Sequence, residues 1–415
     1  MIVEYQLSRY RWQVVGLLWW ICFFNYADRQ AIYSIFPLLE HDFHLTNMQL
    51  GIVGSAFMWM YALAGPFAGW ICDQLSRKWI IVAALIFWSA VTALNACVSD
   101  YSALVLLRAL GGLGEAFYFP AALSLLGDFH PGATRSRAMS IHQSSVYIGT
   151  IAGGGVAAWV AERYGWHQSF LLFGLSGIAL AVVLAFCLRE PHRQTEQVEV
   201  IEARNIASGL SEMLRNFTGL SLIIIFTGTN FVASAFLTWL PTFLYRKFHL
   251  TLAAAGFSAT AYMQVAAVAG VLVGGLMADR SVRRSSGGRM LTQGLGLLCG
   301  APCLLLCGQA ITLPLLAIAL IGFGFCKGLY DANIWASLYD TIPVHRRGFA
   351  SGLMNSIGWL GGGLAPLGIA VATNHVSLGT AISSTAAIYL VLGVAMVFIS
   401  CSVSKKKPIA ERLLS

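Results

Sequence analysis

Charge is what this chain has least of. Aspartate, glutamate, lysine and arginine make up 11% of its 415 residues, against the quarter usual for a soluble domain. That deficit excludes an ordinary water-soluble globule, and the mean hydropathy of +0.71 agrees. Metal-ligand spacing is also missing. The nine cysteines are scattered singly, as at Cys22, Cys72, Cys299 and Cys326, and read as small apolar packing residues. No P-loop, zinc-ligand cluster or nucleophile elbow occurs, so no enzyme signature and no cofactor are expected. No small-residue cleavage site precedes the second apolar segment, so the first reads as a retained span, not a removed signal.

What is abundant is hydrophobic length. Windows of roughly 20 apolar residues, enough to cross a bilayer, fall near 12–38, 49–72, 79–97, 102–127, 136–160 and 168–188. Six more fall near 218–243, 253–278, 290–308, 312–340, 347–372 and 378–401. Segments of this length must pair their own amides in lipid, which means helices and not barrel strands. The expected class is an all-α membrane protein with twelve transmembrane helices. The net charge of +8 follows from topology. With the N-terminus inside, twenty of the 26 Lys and Arg lie on inner segments, and only Arg163, Arg246 and Lys247 lie on outer ones. This bias puts both termini in the cytoplasm. It points to a multi-pass plasma-membrane protein, a bacterial inner membrane by preference, with the lipid bilayer as partner and no nucleic acid. The glycosylation pattern at Asn216-Phe-Thr218 falls on the inner side and is discounted.

The chain also repeats itself. Phe43-His-Leu-Thr46 recurs as Phe248-His-Leu-Thr251, and the same offset carries Asn25 onto Asn230. Gly69-x-x-x-Asp73-x-x-x-Arg77-Lys78 recurs as Gly275-x-x-x-Asp279-x-x-x-Arg283-Arg284. The run Glu115–Arg135 aligns without a gap on Lys327–Arg347, matching Tyr118 to Tyr330, Asp128 to Asp340 and Pro131 to Pro343. The reading is two pseudo-symmetric six-helix bundles, 1–188 and 218–401. They are joined by a polar cytoplasmic linker at 189–217 and followed by a cytoplasmic tail at 402–415. Within the linker, Ile201–Leu214 reads as an amphipathic surface segment.

Against that apolar background a few charges stand inside the spans. Asp28 and Arg29 lie in the first, Arg108 and Glu115 in the fourth, Lys327 and Asp331 in the tenth. Each costs roughly 2.5–3.5 kcal/mol at mid-bilayer on the mild insertion scale. Glu115 and Lys327 lie about 13–14 residues into their helices, roughly 20 Å deep at 1.5 Å per residue. Lys327 and Asp331 share a helix face at i, i+4 and can pair. A static ion-pair network is the plain alternative. Against it, apolar residues can replace buried pairs at little cost, so six charges at one depth call for a further reason.

Parallel six-helix repeats resemble the major facilitator superfamily, and the twice-occurring Gly–Asp–Arg–Lys element resembles that superfamily's cytoplasmic signature. On this resemblance Asp73, Arg77, Lys78, Asp279, Arg283 and Arg284, with Asp128 and Asp340, form cytoplasmic gates. Asn-Tyr-Ala-Asp28-Arg29, Arg108-x6-Glu115 with Phe119-Pro120, and Phe236-Leu-Thr-Trp-Leu-Pro241-Thr-Phe-Leu resemble the anion:cation symporter family, over nearly the whole chain. The first two motifs also resemble the spinster-like lysolipid transporters. The resemblance implies a proton-coupled transporter of a small organic anion, such as a sugar acid, working by alternating access as a monomer. Asp28 and Glu115 would be the proton-linked carboxylates. Arg29, Arg108 and Lys327 would hold the substrate, with Tyr26, Tyr118, Tyr330, Asn230 and Asn355 donating hydrogen bonds. Asp331 would be the ion-pair partner of Lys327. A spinster-like amphiphile transporter is the alternative reading, and a non-transporting sensor a more distant one.

Overall fold

A computed structural model describes residues 2–130, 134–190, 213, 215–343 and 347–412. The amphipathic segment expected at 201–214 lies, apart from residue 213, outside the described residues, as do Pro131 and the side chain of Asp73. Eight helices come from the first half: α1 (Ile2–Ser34), α2 (Phe36–Phe43), α3 (Asn47–Gln74), α4 (Arg77–Leu94), α5 (Tyr101–Glu115), α6 (Tyr118–Phe129), α7 (Arg135–Tyr164) and α8 (Trp166–Cys187). Seven follow: α9 (Phe217–Phe248), α10 (Leu252–Val282), α11 (Gly288–Gln309), α12 (Leu313–Asp331), α13 (Ile334–Thr341), α14 (Arg347–Ala372) and α15 (Leu378–Arg412). The pairs α1–α2, α5–α6 and α12–α13 are single spans with a short break. Among the described residues this makes twelve transmembrane helices in two six-helix bundles. Ten are long and apolar enough to cross a membrane on composition alone. The other two are α1, diluted by Asn25, Asp28, Arg29 and Gln30, and α14, diluted by its glycines and Asn355.

The duplicated tetrapeptide folds the same way twice. His44 and His249 are the only non-glycine residues with positive φ among those described, both at 50°. A single residue in that left-handed conformation ends a helix, and Thr46 or Thr251 then starts the next. Thr46 accepts from the Gln49 amide while Gln49 reaches back to the Thr46 N–H, a capping box. Thr251 accepts from the Ala254 amide at 3.2 Å.

Two compact units emerge, one of residues 1–195 with 237–260, the other of 196–236 with 261–415. In the first unit glycines set the helix spacing. A Cβ on Gly112 of α5 would sit 2.2 Å from the Phe57 carbonyl of α3, and one on Gly153 of α7 would sit 2.3 Å from the Ala27 carbonyl of α1. A Cβ on Gly256 of α10 would fall 2.1 Å from the Gly154 carbonyl. These approaches bring the charged turn of α1 close to α3, α5 and α7. Below it, Leu18, Ile21, Trp88, Tyr118 and Leu125 form a closed apolar core. The second unit uses the same device, with Gly324 and Gly328 of α12 against the Met263 and Ala267 carbonyls of α10. The Phe323 ring meets Phe236 at a tilt and Tyr389 edge-to-face.

Candidate functional site

The first unit gathers its charges on α1 and α5. Arg29, 7% exposed, donates from Nε to Glu115 Oε2 at 2.5 Å, and Glu115 is 2% exposed. The guanidinium is wrapped by aromatic rings, 4.5 Å from the Tyr61 centroid, 4.7 Å from Tyr26 and 5.1 Å from Phe57, a setting that favours Arg over Lys. Glu115 is the last residue of α5. Pro120 has no N–H to offer the Ala116 carbonyl, so the helix breaks directly after the carboxylate.

Arg108 sits two turns before Glu115, 6% exposed, its guanidinium 4.7 Å from the Phe57 ring and 5.9 Å from Tyr33. Its Nε and Nη2 have no hydrogen-bond partner. Asp28 is buried beside this group. Its Oδ2 accepts from Thr92 at a long 3.5 Å and its Oδ1 has no partner. Arg29 is thus engaged by Glu115, while one oxygen of Asp28 and two nitrogens of Arg108 have no hydrogen-bond partner.

Tyr118 lies in the closed core. Its hydroxyl is committed within the bundle, donating to the Leu18 carbonyl at 2.7 Å and meeting His142 Nε2 at 2.8 Å. In the second unit the Tyr330 ring is likewise buried. Lys327 and Asp331 form the i, i+4 ion pair expected from their spacing. The Asn230 amide donates to its own helix at the Phe226 carbonyl, 2.9 Å away. Asn355 is half-buried on α14.

The residues expected at the cytoplasmic gates divide. Arg77, at the first position of α4, is ion-paired to Asp128 of α6 and, at 3.2 Å, to Glu190, with Ser124 accepting at 2.9 Å. Glu190 also accepts from Ser76 and from the Arg77 backbone amide. Lys78 stacks over Trp79 at 4.9 Å. In the second unit Asp340 pairs with Arg289, not with Arg283 or Arg284, which are exposed like Asp279. Alignment of the repeats missed this because the turn before α11 is longer than the turn before α4. Arg289, at the second position of α11, is the structural counterpart of Arg77.

Sequence reasoning also missed the ties within the first unit that reach residues 237–260. Pro241 leaves the Leu237 carbonyl without its helical N–H, and Gln30 of α1 donates to that carbonyl at 2.9 Å. Arg246 pairs with Glu40 and donates to Asn47 at 3.3 Å. Glu162 accepts from the Ala253 amide in the first turn of α10 at 3.3 Å, where an acid is favoured. The proline was the readable signal: a carbonyl freed inside an apolar helix needs a donor from elsewhere. Among the described residues no group of three or more His, Cys, Asp and Glu side chains could hold a metal ion.

Comparison with known proteins agrees with this architecture. The chain is 27% identical over 384 residues to the probable galactarate/D-glucarate transporter GudP of Bacillus subtilis, covering 84% of this chain and 82% of that one. It is 26% identical over 373 residues to the D-galactonate transporter of Escherichia coli O6:H1, covering 82% and 84%. The crystal structure of a bacterial homologue of the human lysosomal transporter Spinster superposes with a TM-score of 0.76 over 95% of this chain and 96% of that one, at 21% identity. These are transporters and not enzymes, and the model of the Major Facilitator Superfamily matches residues 18–366: the chain is a multi-pass membrane transporter of that superfamily.

Proposed function

We propose that this transporter moves a small organic anion, a sugar acid or similar carboxylate, together with a proton by alternating access. The observation that carries the reading is the state of Arg108 and Asp28. A buried guanidinium with unmatched N–H groups is costly and offers the fork geometry that a carboxylate fills bidentately. Arg108 is that group, held against Phe57 and Tyr33. The relatives named for galactarate, D-glucarate and D-galactonate support the anion class.

Asp28 and Glu115 take the proton-linked role in this reading. Burial disfavours a carboxylate while a neighbouring cation favours it, so an anion that draws on Arg29 or Arg108 alters whether the acids hold protons. Lys327 releases Asp331 for substrate within the second unit, and Tyr26, Asn230 and Asn355 supply hydrogen bonds. Arg77–Asp128–Glu190 and Arg289–Asp340 hold the cytoplasmic ends. Both termini are cytoplasmic in a bacterial inner membrane, the bundles are 1–188 and 218–401, and the working unit is a monomer.

The test is uptake into proteoliposomes of a panel of sugar acids, monocarboxylates and lysolipids, with and without a pH gradient. Gradient-driven sugar-acid uptake that is lost in Glu115→Gln supports the proposal. Uptake indifferent to the gradient overturns proton coupling, and uptake of lysolipid alone replaces the anion with an amphiphile.

A further inference from the structure

Thr238, three residues before Pro241 on α9, carries a hydroxyl that the fold leaves unused. Helical threonines elsewhere in the first unit satisfy themselves by donating to a carbonyl one turn back. Thr150 does so to Val146 at 2.7 Å and Thr260 to Gly256 at 3.1 Å. Thr238 makes no such bond, although it is completely buried. A buried hydroxyl without a partner is destabilising as packing, and valine would fill the same volume without that cost.

Two contacts fix this segment against the C-terminal end of α1. Gln30 holds the Leu237 carbonyl at 2.9 Å, and the Trp239 ring meets Phe36 edge-to-face at 5.9 Å. Thr238 is the residue between these anchors. On α1, Tyr33 lies one turn past Arg29 on the same face and is 3% exposed. Its ring packs edge-on against Phe36 at 5.6 Å and stands 5.9 Å from the Arg108 guanidinium. The Tyr33 hydroxyl lies within reach of both the Arg108 guanidinium and the Thr238 hydroxyl. The match is incomplete, because Arg108 Nε and Nη2 and Thr238 Oγ1 are left without a hydrogen bond of ordinary geometry. Guanidinium, phenol and threonine hydroxyl thus form one row, drawn from α5, α1 and α9 within a single compact unit.

The chemistry of that row is selective. A guanidinium only donates, so its unmatched N–H groups call for an oxyanion. A hydroxyl both donates and accepts, and the group that matches Tyr33 and Thr238 together is one that does the same. An alkyl chain would leave both unmatched, and an ammonium could accept from neither. A hydroxyl on the carbon next to a carboxylate answers the whole row: the carboxylate takes Arg108, while the hydroxyl accepts from one neighbour and donates to the other. We infer that Tyr33 and Thr238 are specificity residues that read the hydroxyl beside the carboxylate, so that the cargo is a hydroxy acid and not a plain alkyl carboxylate. The inference rests on the organic-anion reading above and narrows it.

The test is calorimetric titration of the full chain in detergent with D-galactonate, D-glucarate and 2-deoxy-D-galactonate. Wild type should bind the 2-deoxy acid about tenfold more weakly than D-galactonate, the loss expected when buried hydroxyls go unmatched. Tyr33→Phe and Thr238→Val should each weaken D-galactonate by about tenfold while leaving the 2-deoxy acid within about twofold of its wild-type affinity. Thr238→Ser, which keeps the hydroxyl, should restore the preference. The ligand series on wild type needs no substitution, so it decides the matter even where a variant fails to fold. Equal binding of D-galactonate and its 2-deoxy analogue by wild type overturns the hydroxyl reading and leaves the anion reading standing. So does equal weakening of both acids in folded Tyr33→Phe and Thr238→Val. A wild type that binds neither D-galactonate nor D-glucarate overturns the sugar-acid reading, and this inference with it.

Discussion

Glu115 and Lys327 occupy equivalent positions in the two repeats, yet their ion pairs are built differently. Arg29–Glu115 joins two helices across 86 residues of chain, with side chains 8% and 3% exposed and three aromatic rings around the cation. Lys327–Asp331 joins neighbours on one helix, with side chains 18% and 29% exposed. A pair that spans two helices is part of the scaffold, and breaking it strands a buried charge. A local pair at partial exposure contributes little to stability and exchanges partners at small cost. The first half therefore holds Arg29 and Glu115 in a pair that is costly to break, and the second holds Lys327 and Asp331 in one that is less so.

The sharpest way to break this contrast is Glu115→Ala. Stranding Arg29 in its aromatic cage should cost about 3–5 kcal/mol, read as a large fall in melting temperature in detergent. Adding Arg29→Ala should recover part of that loss. Gln30→Leu comes next, since it leaves the Leu237 carbonyl freed by Pro241 without its donor. A loss of about 1–3 kcal/mol is expected, accompanied by faster hydrogen exchange in residues 237–248.

Lys327→Ala should change stability by less than about 1 kcal/mol while weakening anion binding about tenfold or more, a 1.4 kcal/mol effect. Calorimetric titration with D-galactonate separates the two. Stability losses of equal size in Glu115→Ala and Lys327→Ala would erase the contrast.

The smallest effect lies at Glu190. Burial pushes its carboxyl up, but the hydrogen bonds from Ser76 and from the Arg77 main chain and side chain outweigh burial and hold it below the ordinary carboxylate range. A depressed acid contributes stability above its ordinary value and loses it as pH falls through the folded value. The melting temperature should therefore drop on the acid side of about pH 4.5, and Glu190→Gln should flatten that limb by less than about 1 kcal/mol after solvent screening.

Much of this was legible because the chain is duplicated. Phe-His-Leu-Thr announced two identical helix junctions, and both form around a left-handed histidine. The spacing of Lys327 and Asp331 was enough to pair them. Partners across helices were less readable. Asp28 and Arg29 are adjacent in sequence, but adjacent helical residues point about 100° apart, so only Arg29 reaches Glu115. Arg289 was hidden because two exposed arginines in a longer turn took its place in the alignment. Tyr118 was expected to donate a hydrogen bond to substrate, whereas its hydroxyl is committed to a carbonyl and an imidazole inside the bundle.

The contact between Gly154 and Gly256 has an engineering consequence. Each lacks the one carbon that would collide with the other's backbone, so the pair acts as a spacer set to zero thickness. Every larger side chain at either position is a shim of known size. Alanine, serine and cysteine in turn would form a graded series of wedges, each holding residues 237–260 further from α7. If the transport cycle requires that seam to part and reseal, the series would bias the protein toward the parted state in measured steps and turn a transient conformation into one that can be trapped.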